Sequence, residues 1–321
     1  MKTLVWLCCF YSFSALAVVN LKLAVLVPEG TTWGDSLKKF SREVDAATKG
    51  EVALKVYYGG VAGDEPDVLR KVRIGQMHGG IFTGKTLGDI HGDVRVMELP
   101  FMFGDDRAKA WATVEKMAPT FNKALESKGF VNVGFYEVGQ VYVVSTKKVE
   151  SMKALRGIKV WAWEGDEVVK AMLESVGLIS VPLAITDVLS SLSTGIIDAA
   201  YAPPLGILAL QWHSKIKYLI DFPTAWSFGA LLIAKKEWAK ITPANQQKIL
   251  EVSKRYVQEA NARTIKENEE ARAQLQKLGV QFIKFSDADK KEAEAYHQTV
   301  VQRLQGKLFS PQVYQALGVK K

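Results

Sequence analysis

The sequence predicts an α/β protein of two domains, which crossing strands and one long helix connect. Three stretches support this prediction. Residues 152–204 read as strand, glycine turn, helix, strand, helix and strand, which is one βαβαβ unit. Residues 131–145 are rich in β-branched residues and form a run long enough to pass from one domain into the next. A helical pattern of over thirty residues starts at Thr242-Pro243, and a helix of that length could reach across both domains.

The first half of the chain is predicted to contain two βα units in series, followed by a third strand. Apolar residues recur every three or four positions after the first two strands, which is typical of amphipathic helices. The predicted strands cover residues 21–27, 51–58 and 79–82, and the helices carry Leu37, Phe40, Val44, Val68 and Val72. The apolar segment 98–103 closes this half, and residues 231–234 are predicted to return the chain across the hinge.

The first seventeen residues are typical of a secretory signal peptide. One lysine precedes an apolar run shorter than the ~20 residues that span a bilayer. A small-x-small pattern ending at Ala17 marks the expected cleavage site. Both cysteines, Cys8 and Cys9, lie in the segment removed, so we expect a periplasmic mature protein without disulfides or thiol sites. A retained membrane anchor is the less favoured alternative.

Composition and motifs argue against an enzyme. The net charge of +8 comes from lysines and arginines interleaved with acidic residues, which indicates a solvated surface rather than a nucleic-acid site. The four histidines, His78, His91, His213 and His297, lack metal-ligand spacing. No phosphate-binding loop, dinucleotide fingerprint or nucleophile elbow occurs. We therefore expect no catalytic residues, cofactor or metal; a hydrolase on a scaffold with a cleft is the alternative.

A ligand cleft is predicted beside two tryptophans of the βαβαβ unit. Alternation along the strand places Trp161 and Trp163 on one face, and α/β proteins usually bind ligands beyond the carboxyl ends of their strands. The alternative is that both rings only pack in the core of the second domain. Further candidates for the ligand-binding site lie near the predicted strand ends and turns: Trp33, Tyr58, Thr83, Gly84, Tyr136 and Trp226.

The order of several segments resembles that of the DctP-type solute-binding proteins of tripartite ATP-independent periplasmic (TRAP) transporters. The segments are GGVAGDEPDVLRKVRIGQMHGG, ELPFMF, ALRGIKVWAWEG, DVLSSLSTGIIDAAYAPP and KKEWAKITPANQQKILEVS. The resemblance implies a two-domain periplasmic-binding-protein-like fold whose cleft closes on a small ligand, and delivery of that ligand to membrane permease subunits. The expected domains are residues 18–143 with 229–268 and residues 144–228 with 269–321, after a signal peptide of residues 1–17.

Departures from the family pattern predict an unusual ligand. In most relatives, an arginine that clamps the ligand carboxylate stands where this chain has Trp161. Tyr201 and Ala202 replace a glutamate and an asparagine, and we expect both to contact the ligand. A wall of Trp and Tyr suits an apolar or aromatic ligand. The alternative is a carboxylate ligand clamped elsewhere, for instance by Arg73 or Arg95.

A second function is compatible with the same cleft. A carrier of lipids or other hydrophobic molecules would work with a periplasmic tetratricopeptide-repeat partner, with or without a permease. A permease gene pair beside this gene favours the transporter, whereas a repeat-protein gene beside it favours the carrier. Nucleic acid is not an expected partner in either case.

Overall fold

The structure is a computed structural model that describes residues 18–318. The predicted signal peptide, with its cleavage site at Ala17, lies outside the described residues. The strands are β1 Val19–Ala24, β2 Val52–Tyr57, β3 Gly79–Thr83, β4 Phe130–Ser145, β5 Lys159–Ala162, β6 Ile179–Pro182, β7 Ala199–Ala202, β8 Tyr218–Ile220, β9 Ala225–Ala234 and β10 Gln281–Ile283. The helices are α1 Thr32–Ala47, α2 Glu65–Arg73, α3 Gly84–Ile90, α4 Arg107–Ser127, α5 Glu167–Val176, α6 Val188–Thr194, α7 Pro204–Ala209, α8 Lys235–Trp238, α9 Pro243–Lys277, α10 Asp287–Leu304 and α11 Pro311–Ala316.

The strands form one mixed arrangement in the order β2-β1-β3-β9-β4-β7-β5-β6, and β8 and β10 extend it from β4. The β1, β2 and β3 strands pair in parallel in the first half, as β5, β6 and β7 do in the second. The central strands β9 and β4 are antiparallel to their neighbours. The predicted two-half α/β fold and its βαβαβ unit are confirmed.

Strand β4 belongs to both halves, as predicted for the crossing strand. Its residues 130–141 pair with β9 in the first half, and its residues 142–145 pair with β7 in the second. The chain returns between β8 and β9, at residues 221–224, because β8 still pairs with the end of β4. The predicted return at residues 231–234 is wrong. That apolar run lies in the middle of the first-half sheet, paired with β3 on one side and β4 on the other.

The long helix α9 confirms the prediction of one helix that contacts both halves. Its 35 residues correspond to about 52 Å at 1.5 Å per residue. The Thr242 hydroxyl caps its first turn by accepting from the Asn245 amide at 3.3 Å. Ile249 and Val252 pack in a core cluster with β1 and α1, whereas Leu275 packs with β5 and β7. The helix therefore stabilises each half through a different part of its length.

A β-bulge fixes where α9 meets the crossing strand. The register of β4 shifts at Gly139, whose φ of +128° is a conformation that only glycine adopts readily. A β-carbon at Gly139 would lie 2.7 Å from the Asn268 amide nitrogen. That amide nitrogen donates to the Val138 carbonyl at 3.0 Å, and the Asn268 oxygen accepts from the Leu205 amide at 3.1 Å. Asn268 thus links β4 to α7.

Helix α4 was not predicted from the sequence. It contains Pro119, which removes one backbone donor from the helix interior and is normally a helix breaker. Its buried side chains Val114, Phe121 and Leu125 nevertheless pack in the first-half core. Val300 of α10 packs in the same cluster, although residues 269–321 were assigned to the second domain. The predicted domain boundaries stay a prediction.

A buried ion network joins the two halves. The Arg95 guanidinium pairs with Glu98 of its own half and, at 2.9 Å, with Asp166 at the start of α5 in the other half. Asp166 also caps α5 by accepting from the Val169 amide at 3.1 Å. Glu98 accepts from Ser227 at 2.8 Å. Every charge in this network has a partner, which is the condition under which buried charges are tolerated.

We predict that Asp166→Asn lowers the free energy of unfolding by about 3 kcal/mol. Asparagine can still cap α5, but it leaves part of the Arg95 charge buried and unpaired. The control is Glu174→Gln on the same helix, whose ion pair with Arg303 is about half exposed and should contribute less than about 1 kcal/mol. Urea denaturation of both variants measures the two losses, and equal losses would contradict the role given to the network.

Candidate functional site

A cavity of about 210 Å³ lies between the two halves, at the carboxyl ends of the strands. This is the position where α/β sheets usually bind ligands. The first half contributes residues after β1, at the start of α1 and at the end of β3, and β4 forms part of the wall. The second half contributes residues of β5, β7 and α7, and α9 covers one side.

The structure brings together seven of the ten residues predicted from the sequence. These seven, from both halves of the molecule, line the cavity: Trp33, Thr83, Tyr136, Trp161, Trp163, Tyr201 and Ala202. Lining a cavity is a matter of position, so the ligand contacts themselves stay a prediction.

The other three predicted residues do not line the cavity. Tyr58 packs against the core cluster of β1 and α1. Gly84 is outside the cavity lining, and a β-carbon there would overlap the buried carboxylate of Glu98. Trp226 is buried, and its indole donates to the Gly104 carbonyl at 3.0 Å. A strand end predicts the edge of the sheet but not the direction in which a side chain leaves it, which is why these three positions lie outside the cavity lining.

Trp161 is both a core residue and part of the cavity wall. Only 1% of its surface is exposed, and its indole donates to the Leu183 carbonyl at 3.0 Å. Its ring stacks on Tyr201 with centroids 4.9 Å apart and meets Trp163 and Trp212 edge-on at 5.0 and 5.5 Å. Trp161 therefore both packs in the core of the second half and lines the cavity, which were the two alternatives predicted for it. Aromatic contacts on one side hold the ring rigidly against the cavity on the other.

The opposite wall is also aromatic and is held by α9. The Trp33 indole donates to the Thr264 hydroxyl of α9 at 3.1 Å. Tyr136 of β4 meets Tyr256 of α9 edge-on, with ring centroids 5.8 Å apart. Rings from both halves thus face the same space.

Among the described residues that line the cavity, none is an arginine, a lysine or a histidine. The two charged residues there are Glu65 and Glu137, and Arg107 neutralises Glu137 through contacts of 2.9 and 2.6 Å. Neither arginine proposed as a relocated clamp reaches the cavity: Arg73 is exposed at the end of α2, and Arg95 is committed to the buried network. The walls are therefore poorly suited to a ligand carboxylate.

Glu65 is the unusual polar group of the cavity. It is buried, and its oxygens accept from the Thr83 amide at 2.8 Å and from the Thr83 hydroxyl at 3.0 Å. Burial raises the pKa of Glu65 to about 7, and the hydrogen bonds from Thr83 offset only part of that effect. Near neutral pH the carboxyl group therefore exchanges readily between its charged and neutral forms.

Two tyrosine hydroxyls at the cavity make no hydrogen bond. The hydroxyls of Tyr136 and Tyr201 are buried, while Ser253 and the Trp163 backbone lie near them but outside hydrogen-bonding geometry. Burial raises the pKa of both phenols, so they are neutral donors and acceptors at any ordinary pH. Buried polar groups are usually satisfied, so these two unpaired hydroxyls are exceptions in the described part of the chain.

Asp64 connects the two halves at the mouth of the cavity. One carboxylate oxygen caps α2 by accepting from the Glu65 amide at 2.7 Å. The other accepts from the Trp163 indole at 2.9 Å and from the Ile185 amide at 3.0 Å, both in the second half. We call this pair of contacts the Asp64 latch. It holds the two halves together directly beside Glu65.

Sequence reasoning missed Glu65, the Asp64 latch and the residues that α9 contributes. Glu65 follows an ordinary helix-capping aspartate and precedes Pro66, so the local pattern indicates only a helix start. Tyr256 and Thr264 fit the helical period of α9 and carry no further signal. The glycine-rich loop before Asp64, at the end of a predicted strand, was the one available indication that this turn lies at the sheet edge.

None of the described helices is both long and apolar enough to span a lipid bilayer. Within residues 18–318, no three His, Cys, Asp or Glu side chains come together as a metal-ion site requires.

Comparisons with known proteins agree with this architecture. The DctP family model, bacterial extracellular solute-binding protein, family 7, matches residues 23–307. A solute-binding protein of Chromohalobacter salexigens is 27% identical over 267 residues, which cover 81% of this chain and 76% of that protein.

Two solved structures are similar in fold. A TRAP periplasmic solute-binding protein of Sulfitobacter sp. NAS-14.1, with bound β-D-galacturonate, has a TM-score of 0.83 at 22% identity and covers 94% of this chain and 98% of its own. A second TRAP periplasmic solute-binding protein, from Desulfovibrio salexigens with bound orotic acid, has a TM-score of 0.85 at 18% identity. The match covers 94% of this chain and 97% of that protein. The family match over most of the chain shows that the protein belongs to the DctP family of bacterial extracellular solute-binding proteins.

Proposed function

We propose that this protein is the periplasmic receptor of a TRAP transporter, and that it captures a small apolar or aromatic molecule and delivers it to membrane permease subunits. Family membership supports the transport role. The composition of the cavity wall supports the ligand class. Aromatic and aliphatic side chains dominate it, and none of the described residues that line it is an arginine or a lysine. Apolar walls with a few polar groups are typical of sites that bind through buried apolar area.

The proposed ligand differs from those in the solved relatives. β-D-Galacturonate is a sugar acid, and orotic acid is a planar ring with a carboxylate. Recognition of a carboxylate normally requires an arginine fork or several hydrogen-bond donors. Here Trp161, Trp163 and Tyr201 line the cavity. A planar ring could stack against these side chains, whereas a carboxylate would have no cation to meet.

The size of the cavity argues against the lipid-carrier alternative. Its volume of about 210 Å³ is below the range of about 300–1,000 Å³ found for drug-sized ligands. A long acyl chain would not fit without further opening. A carrier role with a tetratricopeptide-repeat partner would therefore require a smaller hydrophobic cargo than a membrane lipid.

Isothermal titration calorimetry tests the ligand class with two probes. We expect 2-phenylethanol, a small aromatic alcohol, to bind the purified mature protein, because it buries a ring and offers one hydroxyl group. We expect β-D-galacturonate to give no binding, since its carboxylate would remain unpaired. Tighter binding of the sugar acid than of the alcohol would overturn the proposed ligand class while leaving the transport role intact.

The unpaired hydroxyl of Tyr201 gives a second prediction. Tyr201→Phe should leave the melting temperature of the empty protein unchanged or higher, because a buried unpaired hydroxyl costs about 1–3 kcal/mol. The same variant should bind 2-phenylethanol up to about ten-fold more weakly, if the ligand hydroxyl pairs with it. Tyr296→Phe, on α10 and outside the cavity, should change ligand affinity little. A destabilised Tyr201→Phe protein with normal affinity would show that the hydroxyl serves the fold instead.

The Asp64 latch predicts a link between closure and affinity. Asp64→Asn can still cap α2, but its amide group would face the donors of Trp163 and Ile185, so the closed state should become less populated. Small-angle scattering of the empty variant should show a larger radius of gyration than that of the wild type. The apparent ligand affinity should fall in proportion to the fraction of protein that remains closed. Asp67→Asn, on the same helix with a partly exposed side chain, is the control. Identical scattering profiles for wild type and Asp64→Asn would rule out the latch.

A further inference from the structure

We propose that the ligand carries a protonated amine beside its apolar part, and that the carboxylate of Glu65 binds this cation. The inference rests on the proposed function, because it names the class of ligand for the same cavity. It is carried by three observations: a buried carboxylate that lacks a cation, the absence of basic side chains along the described walls, and aromatic rings on both sides of the space.

Glu65 is built into the site but is not neutralised by it. Its two oxygens are held by Thr83, so the carboxylate has a fixed position at the cavity wall. It forms no ion pair within the described part of the chain, whereas Glu137 in the same cavity has Arg107. A buried carboxylate without a cation is costly, and a cationic ligand is the partner that would compensate it.

The titratable groups around Glu65 are already engaged. Asp64, directly before it, is held in the latch and adds negative charge. On α2 itself, Arg70 pairs with Asp67, Lys71 donates to the Ala62 carbonyl and Arg73 is exposed. The elements that pack against α2 or border the cavity carry further titratable or charged groups: Lys85 and Asp89 on α3, Arg95 and Glu98 after α3, Arg107 and Glu137, and the phenols of Tyr136, Tyr201 and Tyr256. Lys85, Arg95 and Arg107 each pair with another acid, and none of the lysines or arginines named here forms an ion pair with Glu65.

The aromatic walls suit a cation better than an anion. The faces of Trp and Tyr rings carry negative electrostatic potential, which attracts ammonium groups and repels carboxylates. Trp33 and Tyr256 stand on one side of the cavity, and Trp161, Trp163 and Tyr201 stand on the other. An arylalkylamine could therefore place its ring between these walls and its ammonium group at Glu65.

The competing possibility is that Glu65 binds in its neutral form and donates a hydrogen bond to a ligand carbonyl. The two forms predict opposite pH dependences. An ammonium ligand needs the ionised carboxylate, so its affinity must fall as the pH drops below the pKa of about 7. A carbonyl ligand needs the protonated carboxyl, so its affinity must rise over the same interval. Alkyl ammonium groups, which titrate near pH 10.4 as lysine does, stay charged throughout.

Calorimetry with three probes that share one ring tests the proposal on the wild-type protein. The probes are 2-phenylethylamine, its neutral isostere 2-phenylethanol and the anion phenylacetate. At about pH 8 we expect the amine to bind at least about ten-fold more tightly than the alcohol, and phenylacetate not to bind. At about pH 5.5 the amine should lose at least about ten-fold in affinity, while the alcohol changes by less than about three-fold.

A pair of matched variants assigns the effect to Glu65. Glu65→Gln should remove the preference for the amine and its pH dependence, while binding of the alcohol persists. Asp67→Asn removes a carboxylate from the same helix, but one that is partly exposed, pairs with Arg70 and lies outside the cavity lining, so the amine preference should persist. Thermal melts establish that both variants fold.

The outcomes separate this inference from the proposed function. Two results, both with binding of the alcohol, would show that the cation site is wrong and that the apolar site stands. In the first, the amine binds no more tightly than the alcohol. In the second, the amine binds Glu65→Gln as tightly as it binds the wild type. If the amine does not bind at millimolar concentrations, the cation site is likewise wrong. Preferred binding of phenylacetate or β-D-galacturonate would overturn both the cation site and the apolar ligand class.

Discussion

The pairing of β4 with strands of both halves is the constraint on which the cavity depends. Because this one strand is central to the first-half sheet and also pairs with β7, the carboxyl edges of the two halves meet along its length. The bulge at Gly139 sits at that meeting point and is fixed from outside by Asn268 of α9. Cavity residues from distant parts of the sequence, such as Trp33 and Trp161, are neighbours for this reason.

The buried acidic groups near the cavity differ in whether they have a cationic partner. Arg95 pairs with two acids from different halves, and that network contributes to holding the halves together. On the wall of the cavity, Glu65 has hydrogen bonds but no cation. Arg95 is thus used to stabilise the structure and does not reach a ligand. Glu65 has no cationic partner in the described part of the chain, so its carboxylate is available to a ligand.

Much of the architecture could be predicted because the spacing of apolar residues and the turn-forming residues are local features of the sequence. The βαβαβ unit, the crossing strand and the long helix all appear in the sequence as uninterrupted patterns. Helix α4 was missed because Pro119 contradicts its local pattern and tertiary packing decides the outcome. The return crossing was misplaced because a central strand and a hinge strand have the same apolar composition. Seven of the ten predicted positions line the cavity, but Glu65 was not predicted, since its burial and raised pKa arise from neighbours far away in the sequence.

Asp64 and Glu65 are consecutive residues, and this adjacency has a consequence for communication with a permease. One side chain touches the opposite half, and the next side chain borders the cavity. Asp64 is the N-cap and Glu65 the first residue of α2, so a displacement of Glu65 by an occupant would be transmitted to Asp64 through a single peptide unit. The outer surface created by closure would then differ between a filled and an empty receptor. A membrane partner that recognises only that outer surface could in this way discriminate cargo that it never contacts.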